Sequence, residues 1–225
     1  MSVQNILAID TSTALLRLAL AFGADRLVQV REAVPQSHGQ VLLPRLGDLL
    51  AAAGLTVRDL QVVAVSVGPG SFTGLRIGLA AAKGLVVALD LPLVPVTAFE
   101  IAARRLADAP RPVYVIVPLN RDEGICCPIN GPLSIGPPVI ARYSALPEIV
   151  GRAAVAAIGL TIREKMPALA NPDLSDRLDY DAGDLLVIAR EKLDSGRPLP
   201  AAAELEPWYL QKSQAEIKFE QRKKK

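Results

Sequence analysis

Histidine occurs once in this 225-residue chain, at His38, and cysteine twice, as the adjacent pair Cys126 and Cys127. A single histidine excludes a His-x-x-x-His metal pair and any multi-histidine centre. A Ser-His-Asp triad would have to run through His38 itself, which sits at a helix start, where a solvent-facing or interface histidine is the commoner case. Two neighbouring thiols with no histidine nearby make no zinc site, and neighbours in sequence rarely bridge, because the bond would strain the backbone. A reducing, cytoplasmic setting is expected. No apolar run approaches the ~18 residues of a membrane span, and the long one after Gly74 is broken by Arg76 and Lys83. Met1–Asp10 lacks a basic segment followed by an apolar one, so neither a signal peptide nor a membrane partner is expected.

Charge is also scarce in one respect: 25 basic residues against 23 acidic ones leave a net +2, too little to drive the chain toward nucleic acid or anionic lipid. Five basic residues do cluster in the last eight positions, Lys218, Arg222, Lys223, Lys224 and Lys225. Two readings of that run stand open, a solvated frayed tail and a weak phosphate contact for an RNA partner. What is abundant is apolar side chain, 51% of residues, enough for one large domain or two small ones with real cores.

Along the chain, Asn5–Asp10 reads as a buried strand and Leu15–Ala21 as a second, joined by the polar turn Thr11-Ser12-Thr13 into a hairpin. Arg26–Arg31 is a third strand. Ser37 can cap a helix to about Ala53 that places Leu42, Leu46, Leu49, Leu50 and Ala53 on one face, with Gly54 as its stop. Pro44 inside that pattern predicts a kink or a later start. Val62–Val67 is Val-rich and apolar throughout, as a central parallel strand is. A glycine turn follows, then a helix to about Leu89, a strand at Leu93–Val96 and a helix at Ala98–Ala107. The order β-β-β-α-β-α-β-α is that of the ribonuclease-H-like lobe of the actin, sugar-kinase and Hsp70 group. The second half reads as a decayed copy, with strands at Val113–Val117, Gly124–Ile129, Val139–Ala141 and Ala153–Gly159 and a helix at Ala182–Leu193. Pro128–Pro138 and Met166–Pro172 read as loops, and Ala215–Lys225 as a short charged helix. The expected architecture is thus α/β, an actin-like, ribonuclease-H-like (ASKHA) duplicated fold of two lobes whose mixed sheets are flanked by helices. Residues 1–108 form the N-terminal lobe and 109–225 a diverged second lobe, whose C-terminal segment returns to the first.

The candidate chemistry lies at Ser66–Gly78, SVGPGSFTGLRIG. Gly68 and Gly70 permit positive φ and close backbone approach, Pro69 stiffens the turn, and Ser71 or Thr73 can cap the helix. The N–H groups at such a helix start can cradle a phosphate; a turn selected only for tight packing is the equal alternative. Gly74, Gly78 and Ala81 form a stripe of small residues down the helix, open to internal packing or to docking. Asp10-Thr11-Ser12-Thr13 ends the first strand. In the actin-like group this position holds an Asp-x-Gly-Thr hairpin that embraces phosphate and sets its Asp near a metal ion. Ser12 in place of glycine makes that approach less favourable, and Asp10 can equally cap its own turn. A ribonuclease-H-like nuclease needs a carboxylate cluster, but the strand ending at Val67 delivers Gly68 instead of an acid.

Ile6–Thr13 (ILAIDTST), Ser37-His38 with Leu42-Leu43-Pro44, and above all Gly68–Gly78 (GPGSFTGLRIG) with Lys83-Gly84-Leu85 closely resemble the TsaB family, also called YeaZ. Trp208-Tyr209-Leu210 and Ser213-Gln214-Ala215-Glu216 resemble that family's ending. The resemblance implies a role in making the threonylcarbamoyl modification of adenosine next to the anticodon of tRNAs, as a non-catalytic scaffold. Its partners would be the catalytic subunit TsaD, which supplies metal-binding histidines, and through it the ATPase TsaE; tRNA would be met only through the complex. The family's dimer surface uses the first two helices, which implies an interface with TsaD, or with a second copy when the chain is alone, at His38, Leu42, Arg45, Phe72, Gly74, Leu75, Ile77, Gly78 and Ala81. Asp10, Thr11, Ser12, Gly68, Gly70 and Ser71 would be a vestigial nucleotide or phosphate site. No cofactor is expected to bind tightly, with ATP confined to a composite interface. The chain departs from the family at Leu119-Asn120-Arg121, where Asp-Ala-Arg is often found, and at Ile125-Cys126, where a Val-Tyr pair is. A stand-alone actin-like phosphotransferase or ATPase is the alternative function. A peptidase reading has no residue support.

Overall fold

The computed structural model describes residues 5–34, 37–109, 111–131, 134–159 and 178–209. The loop expected at Met166–Pro172, the family-like ending from Leu210 and the basic tail lie outside these residues.

Strands β1 (Ile6–Asp10), β2 (Leu15–Phe22) and β3 (Arg26–Ala33) form an antiparallel meander. β4 (Val62–Gly68) lies parallel beside β1, and β5 (Leu93–Thr97) parallel beside β4, giving the sheet order β3-β2-β1-β4-β5. The strands β1 and β4 are buried on both faces, which explains why their sequences are apolar except at Asp10 and Ser66. β3 is an edge strand and alternates exposed with half-buried residues.

Helices α1 (His38–Ala53) and α2 (Phe72–Leu89) cover one face of this sheet. There Leu7, Ile9, Val63 and Val65 meet Leu42, Leu46, Leu79 and Val86 in one apolar cluster. α1 ends as expected at Gly54, with φ of 70°. It runs on through Pro44 without a break, because Gln40 and Pro44 are both exposed and the carbonyl deprived of its N–H partner lies on the wet side. Ser37 precedes the first turn in extended conformation but makes no side-chain capping bond. α2 is the one described helix long and apolar enough by composition to cross a membrane; here Leu75, Leu79, Ala82 and Val86 pack it on the sheet.

The second half repeats the first. β6 (Val113–Pro118) and β7 (Glu123–Gly131) form a hairpin, β8 (Ser134–Ile135) and β9 (Val139–Arg142) pair antiparallel with β7, and β10 (Ala154–Ala157) lies parallel to β6 as β4 does to β1. Much of the stretch read as a loop after Pro128 is therefore strand. The 16-residue α1 is matched here by a five-residue helix, α4 (Leu146–Val150). α4 sits on the outer face of the second sheet against Ile116, Cys126 and Val155.

Between the two sheets lie α3 (Ala98–Arg105) and α5 (Ala182–Asp194). Their buried residues join the inner faces of both sheets in one continuous core, from Ile6 and Val96 through Phe99 and Leu185 to Val115 and Cys127. The layers thus run helix, sheet, helix, sheet, helix, an actin-like α/β arrangement with mixed sheets flanked by helices. Residues 199–209 come back along the first lobe: Trp208 N–H bonds the Val67 carbonyl at 2.7 Å, and its ring meets Phe99 edge-on at 5.8 Å.

Candidate functional site

The glycine turn closes on the β1–β2 hairpin. Gly68 has φ of 104°, a conformation only glycine takes without strain. Gly70 lies so close to the hairpin that a Cβ there would sit 2.8 Å from the Ser12 Cβ. Ser71 caps α2 by accepting the Gly74 N–H at 3.2 Å. The Ser71 N–H, the group a phosphate would need, donates instead to the Ser12 carbonyl at 2.7 Å. Thr11 Oγ1 donates to the Gly74 carbonyl at 2.7 Å. Cβ atoms on Gly74 or Gly78 would run into the Thr11 carbonyl and hydroxyl. The small-residue stripe is therefore spent inside the chain: Gly74, Gly78 and Leu75 are buried, as are Leu42 and His38, and none of the five presents an open docking surface. Periodicity found the stripe but could not tell which way it faced.

Asp10 caps its own turn by accepting the Ser12 N–H at Oδ1, 2.8 Å. Its other oxygen accepts from Tyr180 Oη at 2.8 Å and Arg17 Nη1 at 3.2 Å. Neither Arg17 nor Tyr180 stood out in the sequence. Arg17 is the one charged residue in an otherwise apolar strand, and that break was the available signal.

A cavity of about 480 Å³ lies between the lobes, lined in part by Ser12, Thr13, His38, Ser71, Thr73 and Asn120. No Lys, Arg, Asp or Glu is among its described lining residues. His38 is 9% exposed, so of the two expected placements, solvent-facing or interface, it is not solvent-facing, and its Nε2 has no partner among the described residues. His38 is the one residue among the described lining residues of a type that titrates near neutral pH. Among the described residues no group of three metal-ligating side chains converges. Burial pushes both Cys126 and Cys127 up to about 12, so neither thiol is a nucleophile at neutral pH.

The outward faces of α1 and α2 are different in character. Leu43 is 59% and Val87 77% exposed. Gly39 and Gly47 on α1, and Thr73, Ala80, Gly84 and Ala88 on α2, are also exposed, and nothing lies within 4 Å of where a Gly84 Cβ would stand. Ile77 and Ala81 are half-buried at the edge of this surface. Phe72 stacks on Tyr209 at 4.8 Å between ring centres, and Arg76 donates to the Tyr209 hydroxyl at 2.8 Å, so the returning segment borders the N-terminal half of α2. Arg45 is held to one side by Glu32 at 2.6 Å, and that bond lowers the Glu32 pKa.

The family model described as TsaD, tRNA N6-adenosine threonylcarbamoyltransferase, matches residues 30–118. The tRNA threonylcarbamoyladenosine biosynthesis protein TsaB of Haemophilus influenzae is 36% identical over 119 residues, 51% of this chain and 50% of that protein. The Escherichia coli protein of the same name is 40% identical over 95 residues, 42% of this chain and 40% of that one. The chain thus spans about half the length of the curated relatives it matches. A solved Pseudomonas aeruginosa structure, titled as similar to peptidase YEAZ, superimposes with a TM-score of 0.75 at 28% identity and covers 92% of this chain and all of its own. A second structure, titled YeaZ from the same organism, has a TM-score of 0.71. In sequence over about half its length and in fold over nearly all of it, the chain is similar to the TsaB (YeaZ) proteins.

Proposed function

We propose that this chain is a non-catalytic partner subunit in the biosynthesis of threonylcarbamoyladenosine in tRNA. The observation that carries the reading is the pairing of ancestral loops bonded to one another with an open apolar helix face. The ribonuclease-H-like loops bond one another where a nucleotide phosphate would go, while α1 and α2 turn Leu43, Ala80, Gly84 and Val87 outward. The proposed occupant of that face is a TsaD-type catalytic subunit. Residues 30–118, which include both helices, match the TsaD model, so two related lobes could meet through equivalent helices in a pseudo-symmetric pair. Small side chains at Ala80, Gly84 and Ala88 would let the facing helix come close. A TsaE-type ATPase would join through that pair, tRNA would be met only through the assembly, and the free chain would self-pair by the same face. The setting is cytoplasmic, no cofactor is held tightly by this chain, and ATP is confined to the composite interface.

Size-exclusion chromatography of the chain with and without the TsaD-type subunit of its own organism tests this. A stable complex is expected, and neither ATP turnover nor modification by the chain alone. ATP hydrolysis by the isolated chain at ordinary enzyme rates would instead support a stand-alone phosphotransferase or ATPase. Val87→Glu puts a charge on the exposed face and should weaken the complex by at least tenfold without moving the melting temperature. Unchanged affinity would place the docking face elsewhere.

A further inference from the structure

In the actin-like fold the acid ending the first strand serves a metal-bound phosphate, and the residues around Asp10 do not fit that group. Asp10 is fully buried, and both of its oxygens already have partners in Ser12, Tyr180 and Arg17. A magnesium ion needs near-octahedral oxygen ligands and keeps several waters. Here a fixed guanidinium occupies the cation's side of the carboxylate, no Lys, Arg, Asp or Glu is among the described residues that line the neighbouring cavity, and the Ser71 N–H is taken by Ser12.

We infer that Arg17 and Tyr180 are positioning residues: with Asp10 they form an internal brace that holds the β1–β2 turn against the N-terminus of α2. The connections run without a gap. Arg17 Nη1 bonds both ends of the turn, Asp10 at 3.2 Å and Thr13 Oγ1 at 2.8 Å. Its Nε donates to the Tyr180 carbonyl at 3.1 Å, and its guanidinium lies 4.1 Å above the Tyr180 ring centre. Burial, and next the Asp10 charge, raise the Tyr180 phenol, which keeps it a donor. The other side of the same turn carries Thr11 and Ser12, which hold Gly74 and Ser71. Breaking the brace on the Tyr180 side should therefore loosen α2 on the opposite side of the turn. The proposal rests on the docking reading only for what the positioned helix is for.

Amide hydrogen exchange on the full chain tests it without any partner. Tyr180→Phe, and the charge-neutral pair Asp10→Asn with Arg17→Met, should remain folded by circular dichroism. Both should exchange the Ser71 amide at least tenfold faster than wild type, with β6 and β7 amides unchanged. Unchanged Ser71 exchange in the folded variants overturns the positioning role. Arg17→Met alone leaves a buried carboxylate without its cation, so it should melt lower than the double variant; a double variant melting no higher overturns the ion pair as the anchor. Titration of wild type with manganese and ATP, followed by the electron paramagnetic resonance signal of the metal, should show no saturable binding. Saturable binding that Asp10→Asn abolishes would restore Asp10 as a ligand and overturn the inference. A chain that fails to bind the TsaD-type subunit would change none of these readouts, so the two readings fail separately.

Discussion

The three glycines of α2 obey different constraints. Gly74 and Gly78 face Thr11 at contact distance, whereas Gly84 faces open space. Gly78→Ala must displace Thr11, and overpacking of this kind costs about 1–3 kcal/mol. Gly84→Ala should stabilise by up to ~1 kcal/mol, since an exposed helix-interior glycine carries that penalty. Opposite shifts of the urea midpoint in the two variants are the expected result. The paired thiols give a pH prediction. Their folded values are raised, from 9.0 to about 12, by burial, so the native state keeps protons that the unfolded chain releases. The thiols' contribution is intact below their ordinary value of 9.0 and should be lost as pH rises toward 12. Replacing both cysteines by alanine should flatten that limb of the stability curve, measured by denaturant melts across the range.

At the scale of elements, capping separates helices that look alike in sequence. Thr97 opens α3 with a reciprocal capping box, its hydroxyl accepting the Glu100 N–H at 3.1 Å while Glu100 accepts the Thr97 N–H at 2.7 Å. Ser37 opens α1 with no such bond. Thr97→Ala should therefore cost about 1 kcal/mol, and Ser37→Ala far less. Leu46, 3% exposed on the inward stripe of α1, should cost about 2–5 kcal/mol when cut to alanine. Chemical denaturation of the three variants checks the ranking. β3 is tied to the segment leading into α5 by the exposed pair Arg31 and Asp179, and the Arg31 bond lowers the Asp179 pKa. Its contribution is present above the ordinary carboxylate range and is lost as pH falls below it.

At the scale of the whole molecule, the outer face of the second sheet is covered, among the described residues, by the five-residue α4 where the first lobe has the 16-residue α1. The first lobe has kept both outer helices and their exposed surface. The returning segment packs on the first lobe at Val67, Phe72 and Phe99. Truncation before Trp208 should expose Phe99 and lower the melting temperature, because the Trp208 indole and its backbone bond both leave the core. Calorimetry of a chain ending at Pro207 measures this.

The order of strands and helices, the buried stripe of α1, the stop at Gly54 and the glycine turn after β4 were legible because each rests on local chemistry: apolar period, backbone freedom, capping. The likeness to the TsaB proteins was legible in the motif from Gly68 to Gly78. α4 and the strand residues inside Pro128–Pro138, the end of β7 and β8, were not, since proline and glycine are dense there and the pairing partners lie elsewhere in the chain. Nor did any local signal join Arg17 to Tyr180, which are 163 residues apart. The sequence by itself determined that α2 carries small residues at helical spacing and that an acid ends β1. Only the tertiary structure decided that the small residues face Thr11 while Ala80, Gly84 and Val87 face outward, and that the acid belongs to an arginine. Which side of an element meets which neighbour depends on contacts between distant segments, and no periodicity within one segment encodes them.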